Sequence, residues 1–259
     1  MTQKFQQSEG YQLVQKWMTE KGMSAFSFQN EAWQRFSNGY SGMVVAPTGF
    51  GKTYSIFLAV IIDFFNHPEN YKSGLKLIWV TPLRSLAKDL ARAMQEAIDE
   101  IGLDWVVEVR NGDTDAKQKM RQTKNMPDIL LVTPESLHLL LAQKEHQRFF
   151  KNLKCVAVDE WHDLLSTKRG VMVELALAAL KFENPKIKIW GITATIGNLD
   201  QALEVLIPTA TKRTKVVAKE QKKIEILSVY PPEVEILPWA GHLGGKLVQE
   251  VVPIILNSK

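Results

Sequence analysis

The chain has 259 residues, of which 45% are hydrophobic and 23% are charged. These values are close to those of soluble globular proteins and exclude a fully disordered or fibrous chain. The formal net charge of +4 fits a polyanionic partner without requiring one. The single cysteine, Cys155, excludes an intrachain disulfide and a cysteine-based zinc site, which indicates a reducing compartment.

Neither a signal peptide nor a membrane span is predicted. The N-terminal segment 1–18 lacks the apolar core of a signal peptide. The longest apolar run, Ile56 to Phe65, is interrupted by Asp63 and is shorter than the ~20 residues that cross a bilayer. We therefore expect a cytoplasmic protein with no membrane partner.

Short apolar runs alternate with amphipathic helical patterns along the chain. The runs, which we predict to be strands, lie at 43–46, 77–80, 105–109, 129–132, 155–158 and 187–192. The helical patterns that follow them lie at 52–66, 83–101, 115–123, 135–142, 171–182 and 199–206. This alternation is typical of a parallel sheet covered on both faces, and the connection rules favour a right-handed, doubly wound, mostly parallel α/β domain.

The composition changes after Pro208. Residues 211–223 contain six basic side chains and one acidic side chain, a pattern that we interpret as a basic linker. A possible strand at 224–230 and a helical pattern at 243–256 follow. The sequence thus predicts a first domain over 1–210, a linker over 211–223 and a second, incomplete unit over 224–259.

A candidate phosphate-binding loop lies between the first strand and its helix, with the sequence Ala46-Pro47-Thr48-Gly49-Phe50-Gly51-Lys52-Thr53. The glycines let several backbone N–H groups point at one anion, and the helix N-terminus adds a favourable dipole. Lys52 supplies a charge for the β and γ phosphates of ATP, and Thr53 offers a hydroxyl to Mg²⁺. The alternative is a tight turn with a surface lysine.

An acidic pair, Asp159-Glu160, follows the apolar strand Cys155–Val158. The ends of such strands form the ligand crevice of open α/β sheets. Asp159 is placed to hold Mg²⁺ through its water shell, and Glu160 to orient the attacking water. The alternative is an acidic loop beside a core tryptophan, Trp161.

Seven motifs in order make the chain resemble superfamily-two helicases of the DEXH type. Those motifs are Phe26-Ser27-Phe28-Gln29, Ala46–Thr53, Thr81-Pro82-Leu83-Arg84-Ser85-Leu86, Arg110-Asn111-Gly112-Asp113-Thr114, Thr133-Pro134-Glu135-Ser136-Leu137, Asp159-Glu160-Trp161-His162 and Thr193-Ala194-Thr195. Trp161, Thr193–Asn198 and Pro238–Gly244 resemble more narrowly the bacterial ligase-associated, Lhr-type DEXH-box DNA helicases.

The resemblance implies a RecA-like motor domain that binds ATP and Mg²⁺. In that family two such domains close on ATP and step 3′-to-5′ along single-stranded DNA, so a second RecA-like domain is an implied partner. A role in DNA repair, with a DNA ligase or nuclease as a further partner, follows from the same resemblance. The tail over 224–259 looks like the start of that second domain.

The resemblance also implies roles for individual residues. Gln29 would read adenine, with a polar residue at the start of a helix as the alternative. His162 would couple the nucleotide site to Thr193 and Thr195, with a satisfied core histidine as the alternative. Thr81, Arg84, Gly112 and Thr133 would contact nucleic-acid phosphates, which position a backbone without reading its sequence. Lys168 and Arg169 are interpreted as a solvated helix start, and Trp239 and His242 as packing residues.

The leading hypothesis is an ATP-dependent DNA helicase or translocase. An RNA or RNA:DNA helicase is the second, since these motifs grip the sugar-phosphate track. A non-catalytic, ATP-switched nucleic-acid-binding module is a third, from a different class. A small-molecule kinase with a phosphate loop would not explain Thr193-Ala194-Thr195 or the Thr-Pro loops.

Overall fold

A computed structural model describes residues 2–194, 196–208, 212–219, 228–229 and 248–257. The chain divides into two units, residues 1–220 and 221–259. None of the described helices is long and apolar enough to cross a membrane.

The first unit is built on a parallel sheet of seven strands within its described residues, in the order β3-β4-β2-β5-β6-β1-β7. The strands are β1 Ser41–Val45, β2 Leu77–Val80, β3 Val107–Arg110, β4 Ile129–Val132, β5 Cys155–Val158, β6 Lys188–Thr193 and β7 Arg213–Val217. All six predicted strands are present, and the parallel, doubly wound arrangement is confirmed.

Helices cover both faces of this sheet. They are α1 Gln3–Gln6, α2 Glu9–Glu20, α3 Ser27–Ser37, α4 Lys52–Asn66, α5 Arg84–Ile101, α6 Ala116–Lys124, α7 Pro134–Leu141, α8 His146–Phe150, α9 Trp161–Leu164, α10 Lys168–Glu183 and α11 Leu199–Leu206. A short 3₁₀ helix, Pro68–Asn70, follows α4. The second unit contributes α12, Val248–Asn257, to the described residues.

Alternate residues of the strands supply two cores. Val44, Trp79 and Ala157 belong to the core shared with α1 to α5. Met43 and Ile78 point into the other core, shared with α7 to α11. Because successive side chains of a strand point to opposite faces, a strand buried on both faces must be apolar throughout, as these strands are.

The seventh strand corrects the prediction of a basic linker after Pro208. Arg213–Val217 pairs in parallel with β1, so this part of the predicted linker is an edge strand of the first unit's sheet. Val216 is fully buried, whereas Arg213 and Lys215 are exposed. A single buried residue within a basic segment is not recognisable as a strand in the sequence, and pairing with β1 decides the structure.

The C-terminal predictions are only partly covered. α12 overlaps the helical pattern predicted over 243–256. Most of the predicted strand at 224–230, and the whole of Pro238–Gly244 with Trp239 and His242, lie outside the described residues. The assignment of the tail to a second RecA-like domain stays a prediction.

Candidate active site

Three neighbouring strands bring the predicted nucleotide-binding residues to one edge of the sheet. β5, β6 and β1 are consecutive and parallel, so their carboxyl ends meet there. The candidate phosphate loop follows β1, the acidic pair follows β5, and Thr193 ends β6. This is the edge at which open α/β sheets bind ligands.

The phosphate loop turns through two glycines in the left-handed region. Gly49 has a φ of 88° and Gly51 a φ of 67°, values that L side chains rarely adopt. α4 begins directly afterwards at Lys52. Thr48 and Gly49 are exposed, and Pro47, Phe50 and Thr53 are half-buried. The loop therefore presents backbone and a helix N-terminus to solvent, as anion binding requires.

Lys52 is a buried cation without a hydrogen-bond partner among the described residues. Its Nζ atom lies 3.9 Å from Oε1 of Glu160, which is beyond hydrogen-bond range. A buried, unpartnered ammonium is costly unless an anion compensates it. The site therefore fits a bound phosphate group beside Lys52.

Asp159 is held in a fixed orientation at the end of β5. The indole Nε1 of Trp79 donates to Oδ2 at 3.2 Å, and the backbone N–H of Glu160 donates to Oδ1 at 3.0 Å. Burial, and then the neighbouring charge of Glu160, raises the pKa of Asp159 to about 6. The carboxyl is thus ionised above that pH and available to a cation at neutral pH.

Glu160 adopts a left-handed backbone conformation, with a φ of 45°. Such a conformation costs of order 1–3 kcal/mol in a residue other than glycine and concentrates at functional sites. It places the Glu160 side chain between Lys52 and His162, with Oε2 at 3.4 Å from Nδ1 of His162. The carboxylate thus faces the phosphate loop across the strand ends.

The donor set fits Mg²⁺ held partly by nucleotide. Mg²⁺ is usually bound by one or two protein oxygens together with waters and substrate phosphates. The Thr53 hydroxyl and the Asp159 carboxylate supply such oxygens at the two sides of the site. No group of three or more His, Cys, Asp or Glu side chains that could hold a metal occurs among the described residues.

Gln29 is buried and bonded to backbone groups on both sides of its amide. Its Oε1 accepts from the N–H of Phe26 at 2.9 Å, and its Nε2 donates to the carbonyl of Gly51 at 2.9 Å. The first bond caps α3, as expected for the alternative of a polar residue at the start of a helix. The second bond joins α3 to the phosphate loop. Phe26, at 37% exposure, packs on Phe50 of that loop.

His162 and Thr193 are in contact, as the coupling hypothesis requires. Nδ1 of His162 lies 3.0 Å from Oγ1 of Thr193. The carbonyl of Thr193 accepts from the N–H of Ala46, at the start of the phosphate loop. A chain of contacts thus joins the acidic segment, β6 and the phosphate loop. Thr195 lies outside the described residues.

The four predicted nucleic-acid residues differ in exposure. Arg84 and Gly112 are exposed and touch: a Cβ atom at Gly112 would lie 2.9 Å from the Arg84 guanidinium. Thr81 and Thr133 are buried at the ends of paired strands. Oγ1 of Thr133 accepts from the N–H of Ser136 and so caps α7. Of the four predicted residues, only Arg84 and Gly112 are therefore exposed to an incoming strand.

Two side chains were missed by sequence reasoning. Trp79 lies in the strand predicted at 77–80 and had no role of its own there, although an indole N–H in a fully buried strand needs an acceptor, and here that acceptor is Asp159. Arg169 was read as solvated, yet it bonds Glu135 and the carbonyl of Pro82. Both partners are distant in sequence, and only the order of the strands reveals them.

Comparisons with known proteins agree with this geometry. Residues 26–202 match the DEAD/DEAH box helicase family. The chain is 31% identical to the ATP-dependent helicase Lhr-Core of Methanocaldococcus jannaschii, over 96% of this chain and 32% of that protein. It is 32% identical to the Lhr helicase/probable uracil glycosylase of Mycolicibacterium smegmatis, over 85% of this chain and 15% of that protein.

A solved structure gives the same result. The Mycobacterium smegmatis helicase Lhr, bound to ssDNA and AMP-PNP, superposes with a TM-score of 0.70 at 30% identity, covering 79% of this chain and 27% of that one. The chain thus spans a third or less of the length of these relatives. The family match runs from the segment of Gln29 through the phosphate loop and the acidic pair to Thr193. This chain therefore belongs to the DEAD/DEAH box helicase family, and its seven-stranded sheet forms the centre of a RecA-like domain.

Proposed function

We propose that this chain is the ATP-binding part of a helicase motor that couples ATP hydrolysis to 3′-to-5′ movement along single-stranded DNA. The observation that carries the proposal is the buried, unpartnered Nζ of Lys52, facing Glu160 across the ends of β1 and β5. A phosphate between them satisfies the cation and brings the γ-phosphorus near the carboxylate.

Each residue has a separate part in this reaction. Lys52 and the backbone of 47–51 bind the phosphates, and Gln29 steadies the loop. Thr53 and Asp159 would hold Mg²⁺, which when bound would neutralise phosphate charge. Glu160 orients the attacking water, and this chemistry depends mostly on positioning and charge. His162 and Thr193 couple the acidic segment of the nucleotide site to the phosphate loop.

DNA is the favoured track because the structure at 30% identity is of a helicase bound to ssDNA. Participation in DNA repair, a cytoplasmic location and a ligase or nuclease partner belong to the same proposal and rest on the resemblance to ligase-associated helicases. An RNA track is an outcome that competition between the two single strands would reveal.

The test separates binding from hydrolysis. We expect Lys52→Ala to lose ATP binding in an equilibrium titration while the fold is kept, because backbone dipoles alone compensate the phosphate charge poorly. Glu160→Gln should keep ATP affinity and, in a fusion to the second RecA-like domain of an Lhr-type relative, lose ATP hydrolysis. Asp159→Asn should weaken binding only when Mg²⁺ is present.

Lys186→Ala, at an exposed lysine outside the site, is the matched control and should behave as wild type. Wild-type ATP affinity in a folded Lys52→Ala variant would contradict the assignment of the phosphate loop. Nucleotide-dependent strand binding with no hydrolysis even in that fusion would favour an ATP-switched binding module.

A further inference from the structure

The guanidinium of Arg169 links two connections that carry predicted nucleic-acid residues: the β2–α5 loop, with Thr81, and the β4–α7 loop, with Thr133. Its Nε donates to Oε1 of Glu135 at 2.7 Å, and Nη2 donates to Oε2 at 3.3 Å. Its Nη1 donates to the carbonyl of Pro82 at 2.9 Å. Pro82 lies between Thr81 and Arg84, and Glu135 lies in the first turn of α7. One side chain thus joins the β2–α5 loop to the β4–α7 loop.

The contacts of Arg169 hold its guanidinium in one position and one orientation. Two parallel bonds to one carboxylate fix the orientation of a guanidinium as well as its position. Partial burial opposes ionisation of Glu135, but the hydrogen bonds and charge of Arg169, together with hydrogen bonds from the Glu135 backbone N–H and the Thr133 hydroxyl, outweigh it, so the pKa of that carboxyl lies below its usual value. Three of the five N–H groups of Arg169 are engaged, and its charge is compensated within the protein.

Arg169 is also tied to the acidic pair. α9 starts at Trp161, immediately after Glu160, and ends at Leu164. The Thr167 hydroxyl donates to the carbonyl of Leu164 at 2.7 Å and accepts from the N–H of Gly170 at 3.1 Å, which fixes the start of α10. A Cβ atom at Gly170 would approach the Leu164 carbonyl closer than real contacts allow, so glycine is needed for this packing. The start of α10, which carries Arg169, is therefore anchored to the segment that carries Glu160.

We propose that Arg169 is a positioning residue that sets the spacing of the two loops for a single strand and links that spacing to the acidic pair, without contacting the strand itself. This inference rests on the proposed function. It assigns to Arg169 a role through Pro82 and Glu135, and the strand is gripped by the loops that those residues belong to.

A direct phosphate contact by Arg169 is the competing explanation, and Glu135→Gln separates the two by sign. If Arg169 positions the loops, weakening its bidentate pair loosens them, and affinity for single-stranded DNA should fall about three- to tenfold. If Arg169 binds phosphate, removing the competing carboxylate frees a cation, and affinity should rise. Arg169→Lys keeps the charge and loses the fork, so positioning predicts a similar fall.

The experiment measures affinity of the whole chain for fluorescent single-stranded oligothymidylate, with and without AMP-PNP and Mg²⁺. We expect Glu135→Gln, Arg169→Lys and Arg169→Ala each to lower strand affinity and to shrink the change that AMP-PNP causes. AMP-PNP affinity without DNA should stay within twofold of wild type, a pattern that general destabilisation would not produce.

A matched pair lies elsewhere on the surface. Arg148 binds the Glu145 carboxylate at 3.3 Å and donates to the carbonyl of Thr123 at 3.3 Å, away from the Thr-Pro loops. Glu145→Gln and Arg148→Lys should leave strand binding unchanged. Higher or unchanged strand affinity in Glu135→Gln would overturn the inference. A wild-type chain that binds no single strand at low salt would overturn the proposed function, and this inference with it.

Discussion

The Arg84 guanidinium meets a carboxylate where the proposed function places a nucleic-acid phosphate. Its Nη1 donates to Oδ1 of Asp113 at 3.2 Å, and the plane lies against Gly112. Both side chains are more than half exposed, so the pair contributes little stability. In the proposed function, Asp113 would therefore compete with an incoming phosphate for Arg84.

Asp113→Asn should raise affinity for single-stranded DNA about two- to threefold, because a neutral amide competes less well for Arg84. Arg84→Ala should lower affinity and make the log–log salt dependence shallower by about 0.7, the value for one lost contact on a single strand. Equilibrium titrations at four salt concentrations measure both. The gain from Asp113→Asn should shrink in the Arg84→Ala background; an equal gain in both backgrounds would mean that Asp113 acts only by general repulsion.

Gln29→Glu tests the bond between α3 and the phosphate loop. The variant places a carboxylate oxygen against the carbonyl of Gly51, where Nε2 now donates at 2.9 Å. The repulsion should displace the loop and lower affinity for ATP and GTP alike by about tenfold. Gln34→Glu adds the same charge to the same helix and should have little effect. A loss confined to ATP would instead support the reading of adenine by Gln29.

At the scale of residues, the sequence predicts which side chains gather but not how each is held. The pattern Gly49-Phe50-Gly51-Lys52 predicts the phosphate loop because two residues in the left-handed region just before a helix call for glycine at both positions. The orientation of Asp159 depends on Trp79, which is 80 residues away and reaches it through the β2–β5 pairing. Local patterns contain no information about that neighbour.

At the scale of elements, the outer edge of β3 is closed by glutamine side chains. Oε1 of Gln95 accepts from the N–H of Val107 at 2.8 Å. Nε2 of Gln122 donates to the carbonyl of Val109 at 3.0 Å and to Oε2 of Glu108 at 2.7 Å. An open edge strand invites pairing with other chains, and these amides occupy the groups that such pairing would use.

Gln122→Ala should destabilise the first unit by about 2–3 kcal/mol, because Gln122 is fully buried and its removal leaves polar partners unsatisfied. Urea denaturation followed by circular dichroism measures this loss. Gln118→Ala, on the same helix and half-buried, should cost less than about 0.5 kcal/mol. A loss below that value in Gln122→Ala would show that water replaces the amide at the edge.

The elements themselves were predicted unevenly. Continuous apolar runs gave the central strands, and α4 and α11 have the predicted bounds, since their period and flanking residues agree. β7 was missed because an edge strand buries only part of its surface and two of its three exposed positions, Arg213 and Lys215, are charged. α2 and α3 lack a strand before them, so the alternating pattern did not reveal them.

At the scale of the whole molecule, the proposed function assigns phosphate binding, metal ligands and a water-orienting carboxylate to the carboxyl ends of one sheet. In related NTPases an arginine from a neighbouring domain or partner completes the charge compensation and is worth roughly 10³–10⁵ in rate. The sequence after Lys223 contains no arginine.

This 259-residue chain should therefore bind ATP and hydrolyse it near the background rate, with little stimulation by single-stranded DNA. It should not unwind duplexes, because stepping requires two domains that open and close on the strand, and the described sheet forms one. A fusion to the second RecA-like domain of an Lhr-type relative should restore DNA-stimulated turnover, measured by phosphate release. The same fusion with Glu160→Gln should bind DNA and stay inactive, which controls for contaminating ATPase. Robust unwinding by the unfused chain would contradict this prediction and would require a site completed by oligomerisation or without an arginine.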